Sequence, residues 1–139
     1  MKNLSILVIN SNFYKNISKN LLKGVEEVLD DNESKYKIVN VPGALEIPVV
    51  LKKYKNDFDG FIILGCVIRG ETSHYELVTN ITAAEIYSIS NYFQLALGFA
   101  LITAENLEQA ITRADPKKKN YGGKATITCL EMIKVLKKK

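Results

Sequence analysis

Three observations in the sequence predict an α/β protein. Four short apolar runs, Leu4–Ile9, Tyr36–Val41, Gly60–Leu64 and Leu95–Ile102, have the length of strands. Each is followed by apolar residues at helical spacing. No linker, repeat or low-complexity stretch interrupts the 139 residues, so the alternation reads as one domain, residues 1–139. Repeated strand–helix alternation calls for a parallel sheet with helices on both faces. Four strands then make a small three-layer α-β-α sandwich with a four-stranded parallel sheet, flavodoxin-like in type.

The elements follow in order. After the first strand, Ile17, Leu21, Val25, Val28 and Leu29 form one helical face. Ile47, Val50, Leu51 and Tyr54 form a second after the second strand, and Leu77, Ile81 and Ala84 begin a third. Leu107, Ala110, Ile111 and Ala114 make a fourth, and Ala125, Cys129, Met132, Ile133 and Leu136 a fifth. In open parallel sheets ligands bind beyond the carboxyl ends of the strands. The unusual loops all fall there: Asn10–Tyr14, Pro42–Pro48, Gly65–Glu76 and Thr103–Asn106.

Composition narrows the function classes. The net charge is +4, but the lysines sit in two clusters, 117–119 and 134–139, without interleaved aromatics. That pattern solvates helix ends and does not make a base-stacking surface, so no nucleic-acid partner is expected. Cys66 and Cys129 are too few and too isolated for a disulfide scaffold or a zinc site, and suggest a reducing compartment. The apolar run at residues 4–9 is far too short for a signal core or a membrane span. A soluble, cytoplasmic chain with no membrane partner is expected.

The loops carry the chemistry. Gly65-Cys66-Val67-Ile68-Arg69-Gly70-Glu71-Thr72-Ser73-His74-Tyr75-Glu76 holds the only histidine and leads from a strand into a helix. A Gly, Thr and Ser-rich turn at a helix start exposes N–H groups that attract phosphate, beside the one side chain that titrates near neutrality. The alternative is a surface histidine at a helix start. Pro42-Gly43-Ala44-Leu45-Glu46 is either a turn with a glutamate complementing the helix dipole, or a set of hydrogen-bonding groups for a polyol or heterocycle. Phe13, in a polar loop, suits a stacking platform or a hydrophobic plug. Arg113 caps a helix end or grips a phosphate, and Phe99 within a strand reads as core. Nothing beside Cys66 is built to activate it towards His74 as a nucleophile.

Taken together, four stretches resemble the lumazine synthase family: Val41–Pro48, Gly65–Tyr75, Thr103–Ala110, and Arg113-Ala114 with Asn120 and Gly122. Their order and spacing fit from about residue 4 to the end of the chain. The resemblance implies a cofactor-free, metal-free transferase with two small-molecule substrates. Phe13 would stack on the pyrimidine of 5-amino-6-(D-ribitylamino)uracil. Ala44, Leu45 and Glu46 would bind its ribityl chain, and Cys66, Val67 and Ile68 would hold the uracil edge. Glu71 and Thr72 match a phosphate-binding turn, and His74 the proton-transfer group. Phe99 and Arg113 would serve a neighbouring subunit's site. Arg113 would hold the phosphate of 3,4-dihydroxy-2-butanone 4-phosphate, with Lys117 as a candidate second cation.

A shared site implies a homo-oligomer, a pentamer or an assembly of pentamers, with riboflavin synthase as a candidate partner. Two places depart from the family pattern. Only Phe13 matches in the first loop, where many relatives carry Gly-Arg-Phe, and Tyr121 stands where relatives often have a lysine. Two further readings compete. A related pentameric riboflavin synthase would not need the phosphate turn. A non-catalytic lumazine or flavin binder would need neither His74 nor Arg113.

Overall fold

Strands β1 (Ser5–Ser11) and β3 (Gly60–Ile68) form the centre of a parallel sheet in the computed structural model of the chain. Strands β2 (Lys35–Val41) and β4 (Leu97–Ala104) flank them, giving the order β2-β1-β3-β4. The structure describes residues 3–70 and 74–137. Composition explains the placement. Every residue of β3 is buried, as a strand covered on both faces must be, whereas β2 carries Lys35 and Lys37 on an edge.

Alternation along β3 divides the core into two layers. Ile62, Leu64, Cys66 and Ile68 pack towards α1 (Lys15–Asp31), α4 (Leu107–Ala114) and α5 (Tyr121–Lys137). Phe61, Ile63 and Val67 pack on the other side, towards a 3₁₀ turn at Ala44–Glu46, α2 (Ile47–Tyr54) and α3 (Tyr75–Phe93). The result is the three-layer, flavodoxin-like sandwich that the alternation predicts. Of the predicted helix faces, Ile17, Leu21, Val25 and Leu29 of α1, Ile47 and Leu51 of α2, and Ala125, Cys129 and Ile133 of α5 are buried.

The structure corrects several details. β3 does not stop at Leu64. A Cβ on Gly65 would lie 2.9 Å from Leu101 Cδ1 and 3.3 Å from Ser11 Cβ, so this glycine admits neighbouring side chains rather than making a turn. β4 begins at Leu97, because Gln94 ends α3 in the left-handed region (φ 54°) and Leu95 N donates to Ser90 O. Leu107 and Ile111 of α4 and Leu136 of α5 are exposed; α4 meets the sheet through Ala110 and Ala114.

The largest correction concerns α3. The predicted face of Leu77, Ile81 and Ala84 points outward, and Thr82, Ile86 and Ser90 are buried instead. This helix is apolar on two sides, and the sheet takes the side with small hydroxyl residues, which allow close approach.

Candidate active site

The topology makes a cleft before any side chain is considered. β2 lies to one side of β1, and β3 and β4 lie to the other, so the connections leave β1 and β3 in opposite directions. Such switch points at the carboxyl edge of a parallel sheet are where ligands bind. The strand lengths deepen the crevice. The last β1–β3 pair is Asn10 with Leu64, whereas β3 and β4 run on together to Ile68 and Ala104.

The cleft has a volume of about 290 Å³ and is lined by Ser11, Phe13, Tyr14, the 43–46 segment, Cys66, Val67 and Val78. Phe13 sits in the β1–α1 turn, which is tied to the end of β2 by Asn12 N donating to Val41 O at 3.1 Å. Its ring is 69% exposed and stands edge-on to Tyr14, with centroids 5.0 Å apart. A plug would be covered, and within this chain the ring is not.

Glu46 lies at the start of α2, whose positive dipole end suits a carboxylate. Its Oε1 lies 2.8 Å from where a Cβ on Gly43 would stand, so a side chain there would make the carboxylate shift. Burial pushes the Cys66 thiol up to about 12, while the Arg113 guanidinium pulls it the other way. The thiol is neutral at physiological pH, which suits a wall of the cleft and not a nucleophile.

Residues 3–137 match the sequence profile of 6,7-dimethyl-8-ribityllumazine synthase, nearly the whole chain. The chain belongs to the 6,7-dimethyl-8-ribityllumazine synthase family. Relatives bearing that name include one from Bartonella tribocorum (strain CIP 105476 / IBS 506), 41% identical over 136 residues that cover 96% of this chain and 90% of the relative. Another, from Bartonella henselae (strain ATCC 49882 / DSM 28221 / CCUG 30454 / Houston 1), is 42% identical over 141 residues, 99% of this chain and 91% of its own. A third, from Bartonella bacilliformis (strain ATCC 35685 / KC583 / Herrer 020/F12,63), is 39% identical over 140 residues, 98% and 92%. Membership of the lumazine synthase family makes the chain an enzyme, a transferase.

Among the residues expected at a lumazine synthase site, the cleft brings together Phe13, Ala44, Leu45, Glu46, Cys66 and Val67. Five others lie off its lining within this chain. Ile68 is buried at the end of β3 in the layer beneath α1 and α4. Phe99 is half-buried on β4, its ring 5.0 Å from that of Tyr87. His74 is exposed immediately before α3, and its carbonyl accepts from Val78 N at 2.8 Å.

Arg113 Nη1 donates to Thr103 O at 2.8 Å, and the residue lines a separate hollow with Thr112 and Lys119. That contact joins α4 to the end of β4 and is not a cap on its own helix. Lys117 is exposed in the turn after α4. Glu71 and Thr72 lie outside the described residues.

Sequence reasoning placed Ser11, Tyr14 and Gly43 in loops at the ligand-binding edge without giving them individual roles, and it missed Val78. Val78 was within reach: it stands one helical turn beyond His74, on the same face. It also missed Arg69, which pairs with Glu105 and Glu76. Among the described residues no group of three or more His, Cys, Asp or Glu could hold a metal, and no helix is long and apolar enough to cross a membrane.

Proposed function

We propose that this single-domain chain, acting in the cytoplasm, makes 6,7-dimethyl-8-ribityllumazine in riboflavin biosynthesis. It condenses 5-amino-6-(D-ribitylamino)uracil with 3,4-dihydroxy-2-butanone 4-phosphate, without metal or cofactor. The observation that carries the reading is the cleft between β1 and β3. One opening gathers an exposed aromatic ring at Phe13, polar groups of the 44–46 segment and the end of β3 at Cys66 and Val67. That set suits a flat heterocycle with a polyol chain.

The 5-amino group attacks the ketone to give a carbinolamine, which loses water to form an imine. Phosphate leaves, the ring closes and a second water is lost. Phe13 stacks on the pyrimidine, Glu46 takes hydroxyls of the ribityl chain, and the backbone of Cys66, Val67 and Ile68 meets the uracil edge. Glu71, Thr72, Arg113 and Lys117 bind the phosphate. Holding two substrates in reacting geometry removes several kcal/mol from a barrier. His74 moves the protons, a role worth roughly 10²–10⁴-fold.

Within one chain Phe99 and Arg113 lie off the cleft, which supports a site completed by a neighbouring subunit. The outward Leu77 and Ile81 of α3 support the same view, since exposed apolar stripes mark association surfaces. The assembly proposed is a homopentamer or a set of pentamers, with riboflavin synthase as a further partner.

Turnover of purified protein mixed with both substrates, followed by lumazine absorbance and fluorescence, tests the reading. Wild type makes product, His74→Ala is impaired but active, and Arg113→Ala loses more. No product from folded, oligomeric wild type would leave a lumazine or flavin binder as the better account.

A further inference from the structure

Arg69 is the one arginine of the His74 segment, and it bridges three elements. It follows the last residue of β3, and its backbone N–H donates to Ala104 O at 2.8 Å, adding a rung beyond the β3–β4 ladder. Its guanidinium forks. Nε donates to Glu105 Oε2 at 3.0 Å and Nη1 to Glu76 Oε1 at 3.3 Å, while the planar group lies 4.4 Å from the centroid of the Tyr75 ring.

Glu105 is itself held, because its N–H donates to Gln109 Oε1 at 2.8 Å and Asn106 Oδ1 caps α4 through Gln109 N. Arg113 reaches back to Thr103 O. Two arginines therefore grip three consecutive residues, Thr103, Ala104 and Glu105. One leads to the start of α3 and the other belongs to α4.

We infer that Arg69 is a positioning residue: it fixes the start of α3, and His74 with it, relative to β3 and to the β4–α4 turn next to Arg113. The inference rests on the proposed condensation, which gives those two residues their roles. The network is not a stability device. The side chains of Arg69, Glu76 and Glu105 are 47%, 74% and 59% exposed, and ion pairs in such surroundings add little to folding.

Arg69 is not aimed at a substrate phosphate either, because two carboxylates already occupy its fork. Gly70, at φ 85°, supplies the left-handed bend that lets the chain leave β3 beside this bridge. Lysine cannot replace the arrangement. A point-charge ammonium neither spans two carboxylates in a plane nor stacks flat on Tyr75.

The test uses full-length, tag-free protein in which the sole histidine carries a ¹³Cε1 label, so one imidazole signal reports His74. Arg69→Lys, Arg69→Met and the double variant Glu76→Gln/Glu105→Gln are compared with wild type. In all three kcat falls about ten- to a hundredfold while KM for either substrate stays within roughly twofold, the mark of misplaced groups. Adding the double change to Arg69→Met costs nothing more, because the three residues act as one unit.

The His74 signal moves towards the position of free histidine in each variant, with the thermal midpoint nearly unchanged. Full rescue by Arg69→Lys would show a simple charge effect and overturn the proposal. So would an unmoved His74 signal, or an unchanged kcat. If Arg69→Met fails to fold, the lysine and double-glutamine variants decide the matter. If wild type makes no lumazine, the condensation reading fails, and the His74 signal still shows whether Arg69 positions that residue.

Discussion

Helices α1 and α3 pack on opposite faces of one sheet, yet α1 turns its apolar residues inward and α3 leaves half of its own outside. On α1, Ile17, Leu21, Val25 and Leu29 are fully covered, and Lys15, Lys19, Lys23 and Glu27 face water. On α3, Ile86 is the one large side chain fully buried, between Thr82 and Ser90, while Leu77 and Ile81 are 57% and 45% exposed. An ordinary surface helix has one apolar stripe and spends it on its own core. α3 has two stripes, and the second, uncovered within this chain, is the face that the proposed assembly would bury.

The comparison can be broken at its strongest point first. Leu21→Ala empties a covered site beneath α1 and should cost about 2–5 kcal/mol, read as a lower urea midpoint. A loss near zero would mean that α1 is not the anchor of its layer. Ile81→Glu places a charge on the outer stripe of α3. It should break up the assembly in sedimentation experiments at micromolar concentration while the far-ultraviolet dichroism stays that of wild type. Unchanged sedimentation would return α3 to an ordinary surface helix.

The smallest effect concerns the inner side of α3. Thr82 Oγ1 is buried with no hydrogen-bond partner among the described residues. Thr82→Val keeps the shape, removes the orphan hydroxyl and should raise stability by about 1 kcal/mol. A loss of stability would reveal a partner for that hydroxyl.

Much of the molecule was legible from local pattern. The four strands, the five helices and the carboxyl edge on which the loops gather follow from periodicity and from the geometry of parallel sheets. Glu46 and Cys66 were singled out through the family resemblance, because a carboxylate at a helix start and a thiol at a strand end each have an ordinary structural reading. Tyr14 was hidden by its neighbour Phe13, and Arg69 by the glycines and hydroxyl residues around it. Its partner Glu105 is 36 residues away, and no spacing rule connects them.

By itself the sequence determined the fold class, the alternation of elements and the types of group available at the cleft. These depend on which residues are apolar and on what lies within a few positions of them. Only the tertiary structure decided which stripe of α3 meets the sheet, that Gly65 lies inside a strand, and that Arg113 reaches β4 instead of its own helix end. The reason is physical. Periodicity says that a helix has an apolar side, but where two sides compete, the choice rests on how closely each can approach strands supplied from elsewhere in the chain.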